Sequence, residues 1–283
     1  MEQPDATPPV DIEPEVRRLF NIEARRLGSV PLLPQAAREV MALLNDPTTS
    51  VEKITQCIRR DPSLATNLLR TANSATYLGA TAITTIPAAL VRLGTTGIHR
   101  LLMSAAAARV LNVRTNRELA ARLQARAVAV SNGAARIAKH FGTDPEAAFL
   151  GGLLHDVGWA IAYASAPNVL LRLPLIYRQK PELIDPYIER MHAQLGSVVA
   201  EGWKLPTSAV DAIRAHHSPV LLAGGLIAHI VYAAGRVADL GEVFPSSDPA
   251  PPPDQDSTLL RLRIDAPMME RLLAGLKLDM AQR

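Results

Sequence analysis

Ala147-Ala-Phe-Leu-Gly-Gly-Leu-Leu-His-Asp-Val-Gly-Trp159 is the stretch whose reading decides the fold. Asp144-Pro145-Glu146 immediately before it is a helix start: the aspartate accepts from otherwise unpaired backbone amides, and proline has no cost at the first helical position. The run that follows is apolar on every face, which marks a helix buried on all sides. It is expected to end at the adjacent His155–Asp156 pair and to be closed off by Gly158. Imidazole nitrogen and carboxylate oxygen are both ligands for divalent ions at neutral pH, so this buried helix end is a candidate metal position.

Outward from that stretch the punctuation is helical throughout. Upstream, a helix is expected over about Asn116–Phe141, stopped by Gly142. Earlier still come short helices: Pro14–Leu27 stopped by Gly28, one starting at Pro34, and Ser50–Arg60 with Thr49 and Glu52 as a capping box. Asp61-Pro62-Ser63-Leu64 repeats the Asp-Pro start and puts Leu64, Leu68, Leu69 and Ala72 on one face. Pro87 opens a helix closed by Gly94, and Thr95 or Thr96 caps the next, to about Leu111. Downstream, starts near Pro181 and after Pro206 lead to Tyr187–Gly202 and to a helix ending at His216–His217, and another spans about Val220–Leu240. Residues 244–256 are a Pro-rich linker, and Ser257–Met280 carries the leucines and methionines of amphipathic helices. No alternating strand and no internal repeat is evident, so the expected class is all-α.

The totals narrow the function classes. The chain has 283 residues, 48% hydrophobic and 20% charged, with 30 basic and 27 acidic side chains for a net charge of +3. This is a globular composition. Its short basic clusters (Arg17–Arg18, Arg25–Arg26, Arg59–Arg60) sit within helical patterns as solvated faces, so no direct nucleic-acid partner is expected. Cys57 is the single cysteine, which rules out an internal disulfide and suits a cytoplasmic setting. The Pro-rich, acidic residues 1–12 read as a disordered tail unlike a secretory signal, and Val220–Gly235 is too short for a membrane span.

Seven histidines are present. His99, His140 and His229 read as packed or surface residues. His155, His192, His216 and His217 form an ordered series on helices or at helix ends, and such a set can gather a metal between bundle helices. A bound ion there would lower the pKa of its water and suit phosphoester hydrolysis.

Gly152-Leu-Leu-His-Asp-Val-Gly158 resembles the signature of the HD superfamily of metal-dependent phosphohydrolases. The wider series resembles the HDOD domain, a degenerate HD relative of bacterial signalling proteins. It comprises Leu32-Leu33-Pro34, Asp61–Leu64, Leu69–Ala75, Ile86–Gly94, Ala148–Asp156, His192–Gly196, Trp203–Pro206 and Ala212–Pro219, in family order over about residues 28–219. The resemblance implies a multi-helix fold with an N-terminal helical subdomain (13–115) packed on an HD-like one (116–243), then the linker (244–256) and C-terminal amphipathic helices (257–283).

Active HD enzymes add a histidine from the preceding helix and an aspartate from a later one. Those positions fall here on Arg126 and Gly235, with Asp239 one turn on as an outside candidate; the family's tryptophan two residues before the first is Gln124. A guanidinium cannot ligate a cation and would repel one, but it can pair with Asp156. His155, Asp156, His192, His216 and His217 are therefore read as vestigial metal-site positions, and Arg126 and Gly235 as degenerate ones. Asp61, Pro62, Asn73, Ser74 and Trp203 are read as structural.

The resemblance implies no catalytic residue, no metal and no cofactor beyond a weak or adventitious divalent ion. It implies a non-enzymatic regulatory or scaffold protein acting through protein–protein interaction, with a response regulator or a cyclic-dinucleotide signalling protein as partner. The alternatives are a divergent metal-dependent phosphohydrolase of the HD superfamily and a nucleotide-binding sensor without turnover. The oligomeric state is open.

Overall fold

The computed structural model describes residues 12–29, 33, 35–44, 46–74, 77, 81–113, 116–217, 225–241 and 251–280. Among them every regular element is helical. The helices are α1 (Glu13–Gly28), α2 (Gln35–Leu44), α3 (Val51–Arg59), α4 (Pro62–Ala72), α5 (Ile86–Val110), α6 (Arg117–His140) and α7 (Pro145–Leu154). They continue with α8 (Val157–Leu170), α9 (Leu175–Gln179), a 3-10 turn at Pro181–Ile184, α10 (Asp185–Gly202), α11 (Thr207–Ala215), α12 (Leu226–Leu240), α13 (Ser257–Arg261) and α14 (Ala266–Met280). Residues 1–11 of the expected tail (1–12), the signals at Pro34 and 218–224, and residues 244–250 of the expected linker (244–256) lie outside the described residues.

Side-chain caps set the helix starts. Asp61 accepts from the amide of Leu64, Asn116 from Leu119, and Asp144 from Glu146 and Ala147. Asp256 accepts from Thr258 and Leu259. Ser50, not Thr49, caps α3, accepting from Lys53, because the chain turns helical one residue later than the Thr49–Glu52 box would need. Gly94, with φ 63°, kinks α5 rather than separating two helices. Asn73 pins the following loop: its side chain donates to the carbonyls of Leu69 and Ile83 and accepts from the Ile83 amide. The Ser74 hydroxyl donates to Thr71 O.

Three apolar clusters organise the packing. One joins α2–α5 around Val40, Ile58, Leu68 and Leu102. The largest surrounds α8 and α10, with Leu154, Val157, Ile188, Leu195 and Ile213. It also takes in Leu19 and Phe20 of α1, so α1 packs on α8 and α10 rather than with the helices that follow it in sequence. A third lies between α6, α7 and α12 and includes Leu259, Leu262, Met268, Leu272 and Leu276. The C-terminal helices are therefore docked on α6 and α12. Arg100 on α5 reaches α7 with a bidentate ion pair to Glu146, 2.6 and 3.0 Å, and lies over the Phe149 ring.

Gly158 does not close a helix. It lies near the start of α8, a helix that the sequence reading did not place, and it faces α10 so closely that a Cβ would sit 1.8 Å from the carbonyl oxygen of His192. Gly196 sits on the other side of the same crossing, where its own Cβ would lie 3.3 Å from the Gly158 amide nitrogen. This glycine-on-backbone contact brings α10, and with it His192, up to the end of α7. The stretch Pro145–Leu170 is apolar and long enough to span a membrane by composition, but His155–Asp156 divide it into α7 and α8. Its most apolar window is 72% buried inside the protein.

Candidate functional site

The helix junctions place the titratable residues around one cavity of about 630 Å³. His155 and Asp156 form the corner between α7 and α8, His192 comes from α10, and His216 and His217 follow the last turn of α11. Arg126 enters from α6, and Tyr232, Gly235, Arg236 and Asp239 from α12. The structure thus brings together the five vestigial positions and both degenerate ones. Asp61, Pro62, Asn73 and Ser74 do not line the cavity. Trp203, the residue following α10, is partly buried against the main core and is absent from the cavity wall. His99, His140 and His229 also lie away from it.

Three of the histidines share one local geometry. The Nδ1 atoms of His155, His192 and His216 lie 2.8, 2.7 and 2.7 Å from the carbonyl oxygens of Gly152, Glu189 and Ile213, each three residues earlier. A carbonyl only accepts, so each Nδ1 carries the proton and donates, and in a neutral ring each Nε2 presents a lone pair. Burial, reinforced by the neighbouring His217, pushes His216 well below the usual imidazole range. Burial likewise lowers His192 to about 4, partly offset by Asp156. Both rings are therefore neutral at pH 7, with lone pairs aimed at one another at an Nε2–Nε2 distance of 3.3 Å. The exposed His217 approaches them, its Nε2 2.8 Å from that of His192.

The Asp156 carboxylate divides this site in two. Its Oδ1 faces His216 at 3.4 Å and His192 at 3.6 Å. Its Oδ2 faces His155 at 3.0 Å and the Arg126 guanidinium at 3.4 Å. Burial raises the Asp156 carboxyl, but its contacts with His155 and His216 more than offset that and hold the group well below the usual carboxylate range. His155 Nε2, 3.0 Å from Oδ2, is a buried polar atom without a hydrogen-bond partner.

Arg126 also places Nη1 2.6 Å from Asp239 Oδ1. Its Nη2 lies 3.5 Å from where a Cβ on Gly235 would be. The two departures from the HD pattern are thus neighbours: the guanidinium end lies within van der Waals reach of a Cβ at 235. Asp239 does not join the histidine group. It is held between Arg126 and Arg236, whose Nη1 is 3.4 Å from Asp239 Oδ2. Arg236 continues outward, with Nε 3.1 Å from Asp256 Oδ2 and Nη2 donating to Pro251 O at 2.8 Å, while Tyr232 donates to Asp256 at 2.9 Å. Buried charges therefore run in series from Asp156 through Arg126, Asp239 and Arg236 to Asp256, the cap of α13.

Sequence reasoning missed Arg236 and Asp256, although Arg236 lies one turn before Asp239 and Asp256 just before a helical run. It also missed the aromatic wall. Trp159 stacks on His192, ring centroids 5.0 Å apart, and on Tyr163, whose hydroxyl donates to Asp185 at 2.8 Å. The signal was present in the four-residue spacing of Trp159 and Tyr163.

The HDOD domain family model matches residues 30–219. An uncharacterized protein of Treponema pallidum (strain Nichols) is 28% identical over 215 residues, covering 74% of this chain and 42% of that protein, so the chain spans under half of that relative's length. Among solved structures, an HDOD domain protein of unknown function from Geobacter sulfurreducens superposes with a TM-score of 0.67 at 20% identity, covering 94% of this chain and 96% of the other. A protein from Marinobacter aquaeolei VT8, provisionally named a signal transduction protein, gives 0.63 at 18% identity over 97% and 66%. One from Shewanella amazonensis SB2B, provisionally named a metal-dependent phosphohydrolase, gives 0.61 at 18% over 93% and 99%. At these identities the structures share the fold. The family match extends over two thirds of the sequence and through the helices that carry His155, Asp156, His192 and His216, and with it this chain belongs to the HDOD domain family.

Proposed function

We propose that this protein is a non-enzymatic regulatory or scaffold component of bacterial signal transduction, acting through protein–protein contacts in the cytoplasm, with a response regulator or a cyclic-dinucleotide signalling protein as its partner class. One observation carries the non-enzymatic part: the Arg126 guanidinium lies between Asp156 and Asp239, 3.4 and 2.6 Å away, on the side of Asp156 that the HD pattern reserves for metal. A permanent cation there supplies the positive charge the carboxylates need and repels a second one. Asp239, the remaining carboxylate one turn past Gly235, is committed to two arginines. Membership of the HDOD family and the name given to the Marinobacter aquaeolei structure support the signalling part.

Phosphate-ligand sensing finds less support. Five carboxylates (Glu118, Asp156, Asp185, Glu189, Asp239) line the cavity against three guanidiniums (Arg122, Arg126, Arg236), a balance that disfavours an anion.

The test is turnover by the purified protein, supplied with Mg²⁺, Mn²⁺ or Zn²⁺, of phosphomonoesters, phosphodiesters and cyclic dinucleotides. The expected rate is that of the buffer with each metal. Hydrolysis that disappears in His155→Ala would overturn the proposal.

A further inference from the structure

We infer that residues 251–280 form a strap that opens from the rest of the protein as a unit and is held shut at its start by Asp256, on the wall of the cavity. The strap lies beyond residues 30–219, the span of the family match, and comprises α13, α14 and the turn before them. α13 has 5 residues and α14 has 15. Isolated helices shorter than about 12–15 residues are marginal in water, so these two depend on docking. Leu259, Leu262, Met268, Leu272 and Leu276 are buried against α6 and α12. The far end of α14 comes down on Gly241, where a Cβ would stand 2.6 Å from Leu276 Cδ2. The opposite face, with Leu260, Arg261, Arg263, Glu270, Arg271 and Lys277, is exposed.

The seat of the strap does not depend on its occupant. α6, α7 and α12 pack directly on one another, and among the described residues the other two apolar clusters take no side chain from the strap. Opening gives up five apolar anchors and one polar joint while the rest of the core stays closed. Segments of that kind open at less cost than the whole chain.

The joint is Asp256, 1% exposed. Its Oδ1 accepts from the amides of Thr258 and Leu259 and so starts α13. Its Oδ2 accepts from the Tyr232 hydroxyl at 2.9 Å and from Arg236 Nε at 3.1 Å. Arg236 holds the strap a second time, through Nη2 to Pro251 O at 2.8 Å. A carboxylate buried without those donors would be an uncompensated charge, so the strap seats when α12 presents both. Tyr232, Arg236 and Pro251 also line the cavity. Opening withdraws Pro251 from its rim and turns the Tyr232 hydroxyl and the Arg236 guanidinium over to it. A group in the cavity that takes either donor loosens the strap, and the closed strap weakens the binding of that group by the same factor, because such coupling is reciprocal. Occupancy of the cavity is thereby tied to the C-terminal helices, whether or not the cavity turns a substrate over.

Native-state hydrogen exchange of the full chain, localised by peptide mass spectrometry at one pH and temperature, reads the opening of each helix separately. In the wild type, the amides of α13 and α14 are expected to be at least about tenfold less protected than the slowest amides of α10. Ile188→Val, in the main core, should lower the protection of those α10 amides about two- to tenfold and leave α13 and α14 as they were, because Ile188 stays packed when the strap alone opens. Asp256→Asn keeps an oxygen for the α13 cap but removes the charge facing Arg236, and should lower the protection of α13 and α14 at least about tenfold. Equal protection of α14 and α10 in the wild type, or a fall in both with Ile188→Val, overturns the strap, since residues 251–280 then open only with the whole protein. A change of less than about twofold in Asp256→Asn overturns Asp256 as its joint.

Discussion

The series of buried charges between Asp156 and Asp256 makes a quantitative prediction about two residues that do not touch. Arg126→Met removes a guanidinium whose side chain is 11% exposed and which serves two carboxylates. Breaking a buried pair from one side costs about 3–5 kcal/mol. Asp239 keeps Arg236 at 3.4 Å and Asp156 keeps its histidines, so the lower end, about 3 kcal/mol, is expected. Asp256→Asn keeps an oxygen to cap α13 but removes the charge that Arg236 contacts at 3.1 Å, a charge-assisted bond of about 1.5–3 kcal/mol. Once Arg126 is gone, Asp239 turns wholly to Arg236, and Arg236 depends less on Asp256. The double variant should therefore be less destabilised than the sum of the singles, by at least about 0.5 kcal/mol. Urea unfolding of the four proteins, followed by far-ultraviolet circular dichroism at one pH and salt concentration, measures that difference. Additivity within about 0.3 kcal/mol means that Asp239 and Arg236 do not transmit anything between the pocket and the α13 cap.

Gly158→Ala puts a methyl carbon 1.8 Å from the His192 carbonyl, against backbone that cannot rotate away, and should cost at least about 3 kcal/mol, the upper end for overpacking. A melting temperature equal to the wild type's would contradict that crossing. Burial, then the hydrogen bond to Asp256, raises the Tyr232 phenol to about 12. Because its folded pKa lies above the unfolded value of about 10, its contribution is complete below pH 10 and is lost as pH rises through 12. Absorbance at 295 nm should show one fewer late-ionising tyrosine in Tyr232→Phe and an earlier Tyr232 transition in Asp256→Asn; unchanged curves in both would refute it. Arg100→Ala should cost no more than about 1 kcal/mol, since its ion pair with Glu146 is a quarter to a third exposed, and a loss above 2 kcal/mol by urea unfolding would assign that bridge a larger part in joining α5 to α7.

Much of this architecture is legible in the sequence because caps and starts are local chemistry. Asp61, Asn116 and Asp144 act on amides two or three residues away, and the same rule finds them before any tertiary contact is known. Gly158 shows where that locality ends. In sequence a glycine after an apolar helix is a stop, and only the approach of α10, thirty-odd residues later, turns it into a crossing point. The placement of α1 failed to show for the same reason: its apolar face fits several neighbours, and the choice of α8 and α10 is a matter of shape. Within the site, spacing and family order select the histidines and Asp156. Arg236 and Asp256 were hidden because a buried arginine and a helix cap look ordinary until they are seen to share one carboxylate chain.

The contact between Arg126 and Gly235 bears on how such a site changes without unfolding its protein. A metal-binding arrangement needs a neutral ligand at the first position and a carboxylate at the second. The Arg126 guanidinium lies beside Gly235, 3.5 Å from where a Cβ would stand, and pairs with Asp156 and with Asp239 one turn further along α12. A covalently attached positive charge thus stands at the Asp156 carboxylate, on its Oδ2 side only. The Oδ1 side faces His192 and His216 instead. Asp156 is thereby shared between a permanent cation at one oxygen and two imidazoles at the other, so that the charge of a largely buried carboxylate is met from within the protein.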